Sequence, residues 1–445
     1  MRETVRIGSG AGFSGDRIEP AVDLVERGRL DDLVLECLAE RTIALGHRRR
    51  MSDPSLGFDP MLQRRLSALL PAAVRQGVRI ITNMGAANPT AAAEEARAVA
   101  ERLGLDVTIG VVTGDDVLDL LDLEMPALED GRALADHGPV ISANAYLGAD
   151  AVMPALSAGA DVVVTGRVAD PSLFLAPLAD RLGWALDDWP AVSAGTMVGH
   201  LLECAGQVTG GYFADPGRKD VPGLARLGFP FADVSSDGTA VIGKLPGTGG
   251  VVNRGTVREQ LLYEITDPGD YATPDVRLDL RQAQVRQIGD DRVAVSGALG
   301  RRRPDRLKVS VGYQAGYRAE GEISYMGPNA EQRARLAGEI VAARLEGRGL
   351  ELRLDLIGCV DPVDWESHQV RDRECRLRVA AIGSAETAAD VCYEVEALYT
   401  NGPAGGGGVR TSVSEVIGIM STYVPRAAVQ PRVTLLEAEG AREIA

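Results

Sequence analysis

Histidine and the large aromatic residues are scarce in this chain. Four histidines, six phenylalanines and three tryptophans are spread over 445 residues. His47, His137, His200 and His368 stand far apart, so a histidine-based triad or zinc centre has few ways to form. The five cysteines, Cys37, Cys204, Cys359, Cys375 and Cys392, include no CxxC pair. Neither a zinc ribbon nor a disulfide framework is indicated, and no metal is expected. There is no run of 18 apolar residues, and the N-terminus lacks the apolar core of a signal peptide. No membrane association and a cytoplasmic location are therefore expected. A formal net charge of −16 argues against a nucleic-acid partner. The run His47-Arg48-Arg49-Arg50 is a local exception, read as a solvated patch. The nucleophile elbow GxSxG and the phosphate-loop ending GK[ST] are both missing.

What the chain has instead is glycine. Its 52 glycines cluster at the ends of apolar runs, where α/β proteins place ligand loops. The first half repeats a short apolar strand, a glycine-containing loop and a helical pattern. Strands are expected at 5–8, 33–38, 78–82, 106–112, 140–144 and 161–165. Alternation of this kind implies an open, mostly parallel, doubly wound α/β sheet. Six strands are too few for a closed (β/α) barrel. Beyond about residue 225 the strands look more antiparallel. The expected division is a Rossmann-like domain over 1–225 and an α+β domain over 226–445.

Several segments carry residues suited to chemistry. Gly10, Gly12 and Gly15 fit GxGxxG between a strand and a helix, with Glu36 about twenty residues on. Asp16 at the helix start opposes a diphosphate there. Asn83, Asn88, Asn144, Arg167 and Asp170 each follow or end an expected parallel strand. They should share the sheet edge at which such folds bind ligands. Glu40 and Tyr146 belong to the same rim. Tyr212 and Asp215 lie in a glycine-rich loop near the expected domain boundary. His200, Glu203 and Cys204 share one helix face at i, i+3 and i+4; a structural face is expected. Residues 402–408 hold five glycines in seven. With a strand expected at 392–400 and a helix at 414–423, Gly405, Gly406, Gly407 and Arg410 read as an anion-binding loop.

Taken in order, segments 8–16, 38–42, 83–89, 143–150, 161–170, 195–212, 244–250 and 399–411 resemble the acyclic terpene utilisation AtuA family. The chain looks like a shorter form without the extra C-terminal domain of longer members. The resemblance implies acyl-CoA or carboxylate catabolism, with coenzyme A as a substrate carrier. A lyase or hydratase acting on a branched or hydroxylated acyl substrate in an interdomain cleft is the expectation, working as a homo-oligomer. Asp170, Tyr212 and Asp215 are the candidate acid/base groups. Arg167, Asn144, Asn83 and Asn88 would hold a carboxylate or enolate. The alternatives are a nicotinamide-dependent oxidoreductase using Gly10, Gly12 and Gly15, and a non-catalytic partner subunit of an acyl-CoA complex.

Overall fold

The computed structural model describes residues 3–358, 374–437 and 440–444; Cys359 and His368 lie outside the described residues. The first strands are β1 (Thr4–Ala11), β2 (Asp32–Leu35), β3 (Arg79–Thr82), β4 (Ile109–Thr113), β5 (Val140–Ala145) and β6 (Val162–Thr165). Between them lie α1 (Glu19–Arg27), α2 (Glu40–Ser52), α3 (Leu62–Gln76), α4 (Pro89–Leu103) and α5 (Ala149–Ser157). Next come α6 (Asp170–Leu182), α7 (Trp189–Leu202), β7 (Pro230–Ser235), β8 (Ala240–Lys244) and α8 (Arg254–Leu262). Short strands follow: β9 (Tyr271–Ala272), β10 (Arg277–Asp279), β11 (Gln284–Gly289), β12 (Arg292–Ser296) and β13 (Leu299–Arg301). The chain continues through β14 (Arg306–Met326), α9 (Ala330–Leu345), β15 (Glu351–Ile357), β16 (Glu374–Gly383) and α10 (Ala385–Asn401). It ends with β17 (Gly406–Pro425), β18 (Arg432–Glu437) and β19 (Gly440–Glu443).

Two compact units result. One comprises Met1–Asp136, Val140–Gly312 and Ile419–Ala445, the other His137–Pro139 and Tyr313–Gly418. The first is built on an eleven-stranded sheet of order β11-β12-β8-β7-β1-β2-β3-β6-β4-β18-β19. Its centre, β1-β2-β3-β6-β4, is parallel, and antiparallel strands extend both sides. The sheet is therefore mixed rather than mostly parallel. It also runs through the boundary expected near 225, because β7 and β8 join it beside β1. The expected strand at 140–144 exists as β5, but it pairs with β14 and not with the parallel set.

The central strands are buried from end to end, which explains their unbroken Val, Ile and Leu runs. Helices α1, α3 and α4 contribute one-sided apolar stripes to a common core with β1, β2 and β3. At the N-terminal end of β2 the buried Asp32 is satisfied by Arg79 at 2.6 Å and Arg181 at 2.5 Å. The opposite, C-terminal end is thereby left for loops.

In the second unit, α9 and α10 cover β16. Ala334, Ala337 and Val341 meet Ala388, Val391, Val395 and Leu398 over Leu377 and Val379. Here two sequence expectations are corrected. Residues 392–400 belong to helix α10, and residues 414–423 to strand β17. The buried positions 388, 391, 395 and 398 have helical spacing, and Ser384 caps the helix by accepting from the Thr387 N–H. The glycine run thus follows a helix and opens a strand. The helix N-terminus that was to attract an anion is not there.

Candidate active site

The C-terminal ends of β1, β2 and β6 open into a cleft of about 730 Å³, lined throughout by residues of the first unit. Three carboxylates come from the strand ends: Asp16 after β1, Glu36 after β2, and Asp170 after β6. Glu40, at the start of α2, is a fourth. The floor on the other side is the C-terminal end of α7, with His200, Glu203 and Cys204. Helix α7 is buried continuously from Val192 to Leu202. A helix apolar all round is a central one, so polar groups at its end must satisfy each other or a ligand.

They do so only in part. His200 Nδ1 and Glu203 Oε1 are 2.9 Å apart, while His200 Nε2 and Glu203 Oε2 are buried with no hydrogen-bond partner. The ring of Tyr271 lies 5.6 Å from the imidazole. Burial pushes Glu203 up to about 7, against the pull of His200. Burial alone would lower His200, but the Glu203 carboxylate reverses this and raises it. The pair holds a proton that is exchangeable near neutrality. Burial raises the Cys204 thiol well above its ordinary range, so it is no thiolate nucleophile.

Across the cleft, Arg167 is 1% exposed. Its guanidinium donates to the carbonyls of Leu38 and Val168 and forms an ion pair with Asp170. It lies 4.6 Å over the Tyr146 ring. Asp115 fixes the backbone at this point by accepting from the Arg167 N–H at 2.8 Å and from Asn144 Nδ2 at 2.9 Å. Asn144 Oδ1 in turn meets His47 Nε2 at 2.9 Å. Tyr146 donates to Glu40 Oε1 at 2.5 Å, and Lys308 Nζ stands 3.5 Å from the same oxygen. Burial would raise Glu40; the Tyr146 hydroxyl, the helix backbone and Lys308 hold it below its ordinary value. Burial raises Asp170, with the Arg167 charge opposing.

The expected site residues divide accordingly. Asp170, Tyr212 and Gly12 line the cleft. Tyr212 stands at its mouth, 88% exposed, with its ring 6.4 Å from that of Tyr263. Arg167, Asn83 and Asn144 are buried behind the wall as positioning groups. Asn83 bridges Glu36 and the Cys37 N–H. Asn88 caps α4 and holds the carbonyls of Pro54 and Leu56, so it is occupied structurally. Asp215 closes a surface turn onto Lys219 and pairs with Arg218 at 3.8 Å; it is not in the lining. Gly10 lies inside β1, where a Cβ would meet Leu35 at 2.6 Å. Gly12 gives its space to the Cys204 backbone, 2.6 Å from where its Cβ would be. Gly15 faces the Phe13 ring in the same way. Gly405, Gly406, Gly407 and Arg410 belong to the second unit.

His200, Glu203 and Glu36 prove to be cleft residues, as do Tyr271, Glu264, Arg306 and Lys308. The first two had a visible signal in their helical spacing. Lys308 reaches the cleft through the pairing of β5 with β14, with the Tyr146 N–H donating to its carbonyl; no local pattern announces that. Among the described residues, no group of His, Cys, Asp and Glu side chains is arranged to hold a metal ion, and no helix is long and apolar enough to cross a membrane.

The mixed α/β fold thus carries a carboxyl-rich cleft at the C-terminal ends of its central parallel strands. The chain matches the family described as "Acyclic terpene utilisation family protein AtuA" over residues 5–435. It belongs to that family, whose description associates it with acyclic terpene utilisation. No curated protein and no solved structure matches the chain.

Proposed function

We propose that this protein is a lyase or hydratase that adds or removes water across a carbon–carbon bond of a branched acyl substrate, carried as a coenzyme A thioester. The observation that carries the reading is the His200–Glu203 pair. It lines the cleft, has two buried polar atoms without partners, and has a carboxyl at about 7. A general base works best with its pKa near the working pH and with a free atom toward the substrate. His200 Nε2, buried beside the Gln260 and Leu261 backbone and without a hydrogen-bond partner, is the atom assigned that part, and Glu203 holds the ring. In the dehydration direction His200 takes the proton α to the thioester carbonyl. The released pair forms the double bond as the β-hydroxyl leaves. Asp170, fixed on Arg167, faces the substrate from the other wall, and Tyr271, kept protonated by burial, is a hydrogen-bond donor, whereas the Tyr146 hydroxyl is already given to Glu40.

The test is to incubate the protein in D₂O with branched 3-hydroxyacyl and 2-enoyl coenzyme A thioesters and to follow water gain, water loss and α-deuteration by mass spectrometry. Wild type should catalyse all three, and His200→Gln should slow them about 10²-fold, the scale of a lost general base. Absence of both hydration and α-exchange across the thioester series would refute the proposal.

A further inference from the structure

A dehydration that takes a proton from carbon also needs one delivered to the departing oxygen, and the cleft has a group built for that task. Glu36 is 7% exposed and lines the cleft. Its Oε1 accepts two hydrogen bonds, from the Leu38 N–H at 2.9 Å and from Asn83 Nδ2 at 2.8 Å. Asn83 is itself locked, because its Oδ1 accepts from the Cys37 N–H at 2.8 Å. One oxygen of Glu36 is thus used up as an acceptor, and Oε2 has no protein partner among the described residues. Two N–H donors on one oxygen and none on the other is the arrangement of a carboxylic acid whose hydroxyl oxygen faces the ligand.

Charge balance agrees. Glu36 is a buried carboxyl and Asp170 a partly buried one, its side chain 35% exposed, and the cation beside them is Arg167. Asp170 makes the direct ion pair with that guanidinium; Glu36 makes none. In a medium of low dielectric the cluster is most stable when neutral, so one carboxyl keeps its proton. Burial, and then the Asp170 charge, push Glu36 well above the ordinary glutamate range, with Arg167 pulling the other way. Two titratable groups driven apart by their surroundings are how one site supplies both acid and base at one pH.

We infer that Glu36 is a further catalytic residue: a neutral carboxylic acid that donates its Oε2 proton to the oxygen leaving the substrate, beside an Asp170 kept ionised by Arg167. The role as donor rests on the elimination proposed above. In that step the Cβ–O bond breaks, the hydroxyl takes the Glu36 proton and departs as water, and the Cα–H electron pair becomes the double bond. The Cα proton goes to His200. Glu36 regains a proton from solvent at the open cleft, and His200 returns its own there. The substrate class is therefore a β-hydroxy acyl compound with an unactivated hydroxyl, which cannot leave without protonation.

Two measurements on the full chain test this separately. Infrared spectra are taken in D₂O at about pH 8.5, where Glu203 is ionised. Wild type and Glu203→Gln should show a protonated-carboxyl band that Glu36→Gln lacks; a band that persists in Glu36→Gln overturns the inference whatever the enzyme turns over. If Glu36→Gln does not fold, ¹³C-glutamate NMR of the unmutated protein reads the same property: a second glutamate besides Glu203 titrating well above the ordinary glutamate range is expected, and its absence is equally decisive. The kinetic arm compares a 3-hydroxyacyl thioester with its 3-fluoro analogue, whose leaving group needs less acid assistance. Glu36→Gln should lose at least about 10²-fold with the hydroxyl substrate and no more than about threefold with the fluoride. Equal losses on both overturn the donor role. If wild type eliminates neither group, it is the lyase proposal that falls, and with it the donor role; the infrared band still reports where the proton resides.

Discussion

Glu203→Gln should make the protein less active and, above neutral pH, more stable. The carboxyl sits near 7 in the folded state, against an ordinary 4.5, because burial disfavours its charge. A raised carboxyl binds a proton more tightly in the folded than in the unfolded state between those two values. Its contribution to stability is therefore lost as pH climbs from about 4.5 through about 7, and no further loss follows above that. At about 1.4 kcal/mol for each pH unit, the difference between 4.5 and about 7 amounts to about 3 kcal/mol. Glutamine keeps the shape and has no charge to bury, so the variant escapes this loss. His200 acts in the same sense. In wild type it is raised by Glu203, so its stabilisation too is lost with rising pH. Without that carboxylate its burial lowers it, and its contribution then grows with pH toward its ordinary value. Asp275, pushed by burial to about 6, and the raised Asp170 and Glu36 remain, so a residual slope persists. Urea denaturation at about pH 5 and about pH 8 should show wild type losing about 3 kcal/mol more than the variant over that range. Parallel pH profiles for the two proteins would show that Glu203 is not buried as a proton carrier, and would remove the basis for pairing it with His200.

Two further outcomes follow from the two sides of the cleft. Arg167→Met should lower stability by about 3–5 kcal/mol, because it strands Asp170 and leaves the Leu38 and Val168 carbonyls without their donor; a melting temperature equal to wild type would refute its buried role. Cys204→Ser should keep at least about half of wild-type turnover, and native Cys204 should resist iodoacetamide at about pH 8, since only the thiolate attacks; rapid alkylation with loss of activity would contradict this.

Much of the first unit's sheet is legible in the sequence because each central strand is buried on both faces and announces itself as an apolar run. Runs such as Leu33-Val34-Leu35 or Val162-Val163-Val164 leave little choice. The residues that follow those runs, from Glu36 to Glu40 and from Gly166 to Asp170, come to the cleft because parallel strands deliver their C-terminal ends to one edge. The second unit is less transparent. Val391 and Val395 are β-branched, which favours strand locally, yet their spacing of four places both on the buried face of α10. The five glycines nearby fit a turn after a helix as well as one after a strand, so their number carried no information on which side the helix lay.

The polar chemistry of the cleft was hidden for a different reason. His200 and Glu203 were visible as neighbours on one helical face, but their value depends on a fact that one helix's polar face does not reveal: α7 is enclosed on every side. An exposed His–Glu pair at the same spacing would be worth a few tenths of a kcal/mol to the helix and nothing to catalysis. Enclosed, Glu203 is pushed up by burial to about 7, its carboxylate raises His200, and two atoms are left without a partner. The clue in sequence was that eleven residues from Val192 to Leu202 include only Ser193, Thr196 and His200 as polar side chains. A helix so poor in charge has no solvent face to give its histidine, which makes the burial, and from it the chemistry, derivable from composition along the helix rather than from the His–Glu spacing.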